Sequence, residues 1–138
     1  MQSLSKELVI ERLNLIIEKS NLVVERNMNI TSYHEFLLSP TNMEKFDAAC
    51  MLIQVIGETA RKIDDATSSS LFSSYSQVYW KGVFALRNII SHEYGNVNPE
   101  DIFKIIKKHL PELIACVRLI VADIETGKHE SLFSKHNS

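Results

Sequence analysis

Arg87, His92 and Tyr94 are the residues of this chain whose types and spacing are best suited to chemistry. An arginine guanidinium can clamp a phosphate through two parallel hydrogen bonds, and histidine is the side chain that exchanges protons near neutral pH. A phenol can donate a hydrogen bond or carry a covalent modification. Apolar neighbours predict that the three residues lie against a packed core. Together they suit phosphodiester chemistry that needs no metal ion.

These residues fall at the end of a helix predicted from about Gln77 to about His92. At ~100° per residue, Arg87, Ser91 and Tyr94 share one face of that helix. His92 lies roughly 140° around from Arg87 on the same ideal wheel. An unbroken helix would therefore separate the imidazole from the guanidinium. Two arrangements would bring them together: the last turn unwinds, or the site combines residues from two subunits.

The hydrophobic pattern predicts further helices and no strands. Pro111 interrupts the apolar stripe of the last helix and should kink it, because proline removes a backbone donor. The predicted fold is all-α, a single domain over residues 1–138 built as an antiparallel bundle of four to five helices with a kinked C-terminal helix. Residues 126–138 are expected to be a polar, frayed tail. The other predicted helices run from Leu4 to about Asn27, from Ser39-Pro40 to a polar loop over Asp64–Ser76, and from Asn98-Pro99 to Thr126.

The second predicted helix contains a glycine, Gly57, at a position best explained by a closely packed neighbour. Gly57 in mid-helix costs roughly 1 kcal/mol relative to alanine, so a neighbouring backbone or side chain is expected to lie against it. Glu58 follows beside the apolar seam and is interpreted as either the partner of an active-site arginine or a rim charge. The seam itself consists of Phe46, Ala49, Ile53, Ile56, Ala60 and Ile63.

Composition narrows the classes of function. No apolar run approaches the ~20 residues of a membrane span, and the N-terminus lacks a signal-peptide core, so a cytoplasmic protein is expected. Cys50 and Cys116 sit in helical patterns without metal-ligand spacing, which favours reduced core thiols and neither a metal nor a cofactor. The net charge is −2, so affinity for RNA would need a local cationic patch. The candidate patch is Lys104, Lys107 and Lys108, joined by Lys81; a solvated lysine face is the alternative.

The motif Arg87-x4-His92-x-Tyr94 resembles that of HEPN-domain ribonucleases, in particular the HepT-like toxins of toxin–antitoxin pairs. The similarity runs from about Phe46 to about Leu113. It implies a metal-independent endoribonuclease that works as a homodimer with its motifs facing across the interface. The flanking matches are Ile56-Gly57-Glu58-Thr59-Ala60, Trp80, Leu86-Arg87-Asn88 and Gly95-Asn96-Val97.

Roles follow from what RNA cleavage requires. The ribose 2′-hydroxyl loses a proton as it attacks, charge develops on the phosphate, and the leaving oxygen needs a proton. His92 is the candidate general base or acid, and Arg87 is the electrostatic clamp. Asn88 lies one turn before His92 and either hydrogen-bonds it or is exposed. Ser91, on the face of Arg87, and Glu58 are supporting candidates.

The resemblance also implies a partner. In similar families an MntA-like nucleotidyltransferase antitoxin transfers AMP onto the tyrosine of the motif, which is Tyr94 here. The added bulk and negative charge would occupy the place of the RNA phosphate. A stacking or core tyrosine is the alternative for Tyr94. For the whole chain the alternatives are a non-catalytic helical module that docks on such a nucleotidyltransferase, and a degenerate HEPN scaffold.

Overall fold

The computed structural model describes residues 5–90 and 97–134 of the chain. Within these ranges it contains helices and no strand, which confirms the predicted all-α bundle. No helix in this part of the chain is both long and apolar enough to cross a membrane. The helices are α1 (Lys6–Arg26), α2 (Pro40–Ala66), α3 (Trp80–Ala85), α4 (Pro99–Lys104), α5 (Leu110–Glu125) and α6 (Glu130–Ser134).

Two helix starts are confirmed at the capping residues that predicted them. The Ser39 hydroxyl accepts a hydrogen bond from the backbone N–H of Asn42 at 3.1 Å, and proline occupies the first turn of α2. The Asn98 side chain accepts from the backbone N–H of Glu100 at 2.8 Å at the start of α4. Each cap satisfies a backbone donor that the first helical turn leaves without a partner.

The core lies where α1, α2 and α5 pack together. All six residues of the predicted α2 seam are buried. The α1 contribution comes from Val9, Leu13, Ile16 and Val23, whereas Leu8 remains 42% exposed. The stripe predicted for the last helix is also buried in full: Ile106, Leu110, Leu113, Val117, Ile120 and Ile124.

The interruption predicted at Pro111 takes the form of a π-helical turn over Ile105–His109, which joins α4 to α5. Proline has no N–H to give to the carbonyl of Lys107, and its ring would clash with that carbonyl in a regular α-helix. The wider turn avoids this conflict, since the N–H of Leu110 bonds instead to the carbonyl of Ile105.

The third helix is shorter than predicted. It begins at Trp80, not at Gln77, and its α-helical part ends at Ala85. The chain then tightens into a 3-10 turn over Leu86–Asn88. The motif arginine therefore lies on a 3-10 turn. The predicted end of this helix near His92 lies outside the described residues.

Two segments assigned as polar are anchored by apolar side chains. The loop after α2 begins at Thr67, three residues later than predicted, and Leu71, Phe72 and Tyr75 within it are buried. Residues 130–134, within the segment expected to be a polar tail, form α6. Phe133 is buried there, and Glu130 pairs with Lys6 of α1 at 2.7 Å.

Candidate active site

The crossing of α2 and the end of α3 fixes the backbone of Arg87. A Cβ atom added to Gly57 would lie 2.4 Å from the Arg87 backbone nitrogen and 2.9 Å from the Leu86 carbonyl carbon. Only a residue without a side chain permits this approach, so the predicted crowding at Gly57 is confirmed. The backbone that carries the motif arginine thus rests directly on α2.

The other end of α3 is anchored by Trp80. Its indole Nε1–H donates to the carbonyl oxygen of Tyr75 at 2.8 Å, and its ring stacks on Phe72 with centroids 3.9 Å apart. These contacts use the polar and apolar parts of the indole together. Because α3 has only six residues, anchors at both ends leave its direction little freedom.

A partly buried polar cluster holds Tyr75 in turn. The Tyr75 hydroxyl donates to Asp123 Oδ2 at 2.7 Å and lies 2.7 Å from His129 Nε2. Burial, followed by the hydrogen bond to Asp123, raises the pKa of Tyr75 well above its ordinary value. The phenol therefore stays protonated and acts as a tie between the loop before α3 and the end of α5.

The side chain of Arg87 is exposed. Its guanidinium forms no hydrogen bond or ion pair with a residue in the ranges 5–90 and 97–134. A fixed backbone and a guanidinium that no described residue engages are what an anion-binding arginine requires.

Glu58 does not pair with Arg87 in this structure. Its carboxylate accepts a hydrogen bond from Gln54 Nε2 at 3.2 Å, one helical turn earlier on α2. No ion pair joins it to Arg87 within the described part of the chain. A supporting role for Glu58 in the site stays a prediction.

Comparison with known proteins decides the family. The sequence model of the family described as Ribonuclease HepT-like matches residues 16–120, most of the chain. The chain belongs to the HepT-like ribonuclease family. It is 29% identical over 104 residues to the Methanocaldococcus jannaschii protein named "Putative RNase MJ0127". The aligned stretch covers 75% of this chain and 80% of that protein. No solved structure matches the chain significantly.

Membership of this family confirms the resemblance drawn from the motif and indicates a ribonuclease. His92 and Tyr94 of the motif, and the neighbouring Ser91, lie outside the described residues. The role of His92 beside Arg87 therefore stays a prediction. Asn88 is exposed on the 3-10 turn, and its bond to His92 stays a prediction.

The lysines proposed as an RNA patch are not equivalent in this HepT-like chain. Lys107 donates from Nζ to the carbonyl oxygen of Asn27 at 2.8 Å, which ties the π-helical turn to the end of α1. Lys104 lies 3.9 Å from the Glu100 carboxylate. Lys107 and Lys104 therefore already contact other residues, which lowers the positive charge that the predicted patch can offer to RNA. Lys81 and Lys108 are exposed. An RNA-binding role for all four lysines remains a prediction.

Sequence reasoning missed Arg61. Its guanidinium carbon lies 5.6 Å from the centroid of the Phe84 ring on α3, and its Nε lies 3.1 Å from Asp65 Oδ1. The available signal was its spacing: Arg61 is four residues after Gly57, so the two share a face of α2.

Both cysteines are free and buried, as predicted. Burial is the main reason that the pKa of Cys50 rises to about 12 and that of Cys116 to about 11. Thiolates are the form that binds metals and attacks electrophiles. At neutral pH these two residues are therefore small core side chains, with no part in the site.

Proposed function

We propose that this HepT-like chain is a metal-independent endoribonuclease in which Arg87 and His92 act on an RNA phosphodiester. The observation that carries the proposal is the state of Arg87, whose backbone rests on Gly57 while its guanidinium is exposed without a partner in the described part of the chain. A ribonuclease family supplies the substrate class.

In the proposed reaction the 2′-hydroxyl oxygen of the ribose attacks the adjacent phosphorus and displaces the 5′-oxygen of the next nucleotide. His92 takes the proton from the attacking hydroxyl or gives one to the leaving oxygen. Arg87 stabilises the negative charge that develops on the phosphate oxygens. Because a single histidine does not conveniently fill both proton roles, we propose that a second His92 comes from the partner in a homodimer. HepT-like proteins generally work as dimers, which supports this step.

The test is cleavage of RNA by the purified chain in the presence of EDTA. We expect the rate to be unchanged by chelation, because the proposed charge stabilisation comes from a guanidinium. Activity that disappears in EDTA and returns with added Mg²⁺ or Mn²⁺ would contradict the proposal.

We further propose that the enzyme is a cytoplasmic toxin neutralised by a nucleotidyltransferase antitoxin of the MntA-like kind, which adenylylates Tyr94. In that reaction the phenol oxygen of Tyr94 attacks the α-phosphorus of ATP and pyrophosphate leaves. The product carries an adenylate two residues from His92. Its negative charge and bulk would exclude the RNA phosphate from Arg87.

Co-expression with a neighbouring nucleotidyltransferase tests this regulation. We expect the intact mass of the chain to rise by one adenylate, and RNA cleavage to be lost with it. Tyr94→Phe is the matched control, because it keeps the ring and removes only the acceptor oxygen. Equal mass gain in the Tyr94→Phe variant would show that another residue is modified.

A second candidate function is a non-catalytic module that docks on the nucleotidyltransferase. The net charge of −2 favours it, because general affinity for RNA comes largely from cationic contacts. A chain that binds the nucleotidyltransferase but neither binds nor cuts RNA would support this candidate against the enzyme.

A further inference from the structure

Arg61 and Arg87 lie on the same α2–α3 crossing. Gly57, which touches the backbone of Arg87, is one helical turn before Arg61 on the same face of α2. Phe84, which faces the Arg61 guanidinium from α3, is three residues before Arg87 on the 3-10 turn that follows. Side chains one turn apart have Cβ atoms about 5–6 Å from each other. The crossing therefore brings two arginines to neighbouring positions from two different helices.

Asp65 and Phe84 hold the guanidinium of Arg61 in place, but they do not use all of its hydrogen-bond donors. Asp65 engages Nε at 3.1 Å, and the Phe84 ring lies against the group with a carbon-to-centroid distance of 5.6 Å. The two terminal nitrogens form no hydrogen bond with any residue that the structure describes, and Asp65 is the one described carboxylate paired with Arg61. The side chain is 42% exposed. No described residue hydrogen-bonds to the two-pronged end of the guanidinium, the end that binds phosphate best.

A purely structural role for Arg61 would contribute little. Its ion pair with Asp65 is a solvent-exposed pair at i and i+4, a class that stabilises a helix only weakly. Nearby Lys62 has the same charge and points roughly 100° further around α2. Its side chain is exposed, and no ion pair ties it to the described part of the chain.

We propose that Arg61 binds the RNA backbone phosphate next to the one that Arg87 contacts. This inference rests on the proposed ribonuclease function and adds a substrate-binding position to it. Each nucleotide carries one phosphate, so cations at neighbouring positions can engage consecutive phosphates of one strand. The contact is with the backbone, so it strengthens binding without selecting a base. The same cationic pair would supply the local positive charge that a chain with net charge −2 needs to bind RNA.

The experiment measures binding of a fluorescein-labelled 2′-O-methyl RNA oligonucleotide, which lacks the attacking hydroxyl, to the full chain at several salt concentrations. Fluorescence anisotropy gives the affinity of the parent and of Arg61→Gln, with Lys62→Gln as the matched control. We expect Arg61→Gln to weaken binding about tenfold at low salt and to reduce the slope of log affinity against log salt by about 0.7–1. Lys62→Gln should keep the parental slope.

Kinetics with cleavable RNA provide a second readout. Loss of a contact made equally in the ground state and transition state raises KM and leaves kcat nearly unchanged. Arg61→Lys keeps the positive charge, so we expect the parental slope of log affinity against log salt in this variant. It keeps the proposal testable if Arg61→Gln folds poorly. A parental slope and KM in Arg61→Gln overturn the assignment while leaving the nuclease intact. A parent chain that neither binds nor cuts RNA removes the proposed function and this inference together.

Discussion

Replacing His92 with alanine is expected to lower the rate of RNA cleavage by about 10²–10⁴-fold, the usual contribution of a general acid or base. The bundle should stay folded, because the buried apolar residues of α1, α2 and α5 form its core. Arg87→Ala should lower the rate by about 10²–10³-fold through loss of charge stabilisation. Initial rates in EDTA, together with circular dichroism melting, measure both effects.

His34 offers a matched control for this substitution. It is an exposed histidine on the 3-10 turn over Tyr33–Leu37, before α2, where its ring lies beside Tyr33. His34→Ala removes the same group and should retain parental activity. If His92→Ala cuts RNA as fast as the parent, or His34→Ala loses as much as His92→Ala, the proposed catalytic role is wrong.

Gly57→Ala is expected to damage both stability and catalysis, although alanine is the better helix former. A methyl group placed 2.4 Å from the Arg87 nitrogen forces α2 and the 3-10 turn apart. Such overpacking costs about 1–3 kcal/mol, partly offset by roughly 1 kcal/mol of helix propensity. Because a shift of about 1 Å at a positioned group can cost ~10²-fold in rate, cleavage should fall by about 10–10²-fold. Denaturant unfolding and cleavage rates at a temperature where the variant is folded separate the two effects.

Gly82→Ala on α3 is the control for this prediction. Its added Cβ would meet the ring of Tyr79 at 2.9 Å, but that side chain is 75% exposed and can rotate away. We expect Gly82→Ala to retain most of the parental activity. Equal activity and stability in Gly57→Ala and Gly82→Ala would show that the close contact does not position Arg87.

The long helices were predictable because their signals are local. Caps at Ser39 and Asn98 and an apolar repeat of 3.6 residues determine where α2 and α4 start and which faces are buried. α3 was not predictable in detail, since its limits depend on tertiary contacts. The hydrogen bond from Trp80 to the Tyr75 carbonyl anchors its start, and the crossing at Gly57 lies where it tightens into a 3-10 turn.

In the candidate site, too, features with a local signal were predictable and those set by tertiary contacts were not. Gly57 gave a correct prediction of crowding, since a glycine in mid-helix is unfavourable without a reason of this kind. The sequence could not show that Lys107 bonds to the carbonyl of Asn27, 80 residues away, or that Arg61 faces Phe84. Arg61 also has an acid at i+4, which made it resemble an ordinary surface pair.

The most direct measurement is the chemical nature of the RNA ends produced in EDTA by the parent chain. Attack by the 2′-hydroxyl, assisted by His92 and Arg87, predicts fragments that end in a 2′,3′-cyclic phosphate and begin with a 5′-hydroxyl. Mass spectrometry of the fragments distinguishes these ends from the products of direct attack by water. Fragments that begin with a 5′-phosphate, or an absence of cleavage in EDTA, would contradict the account.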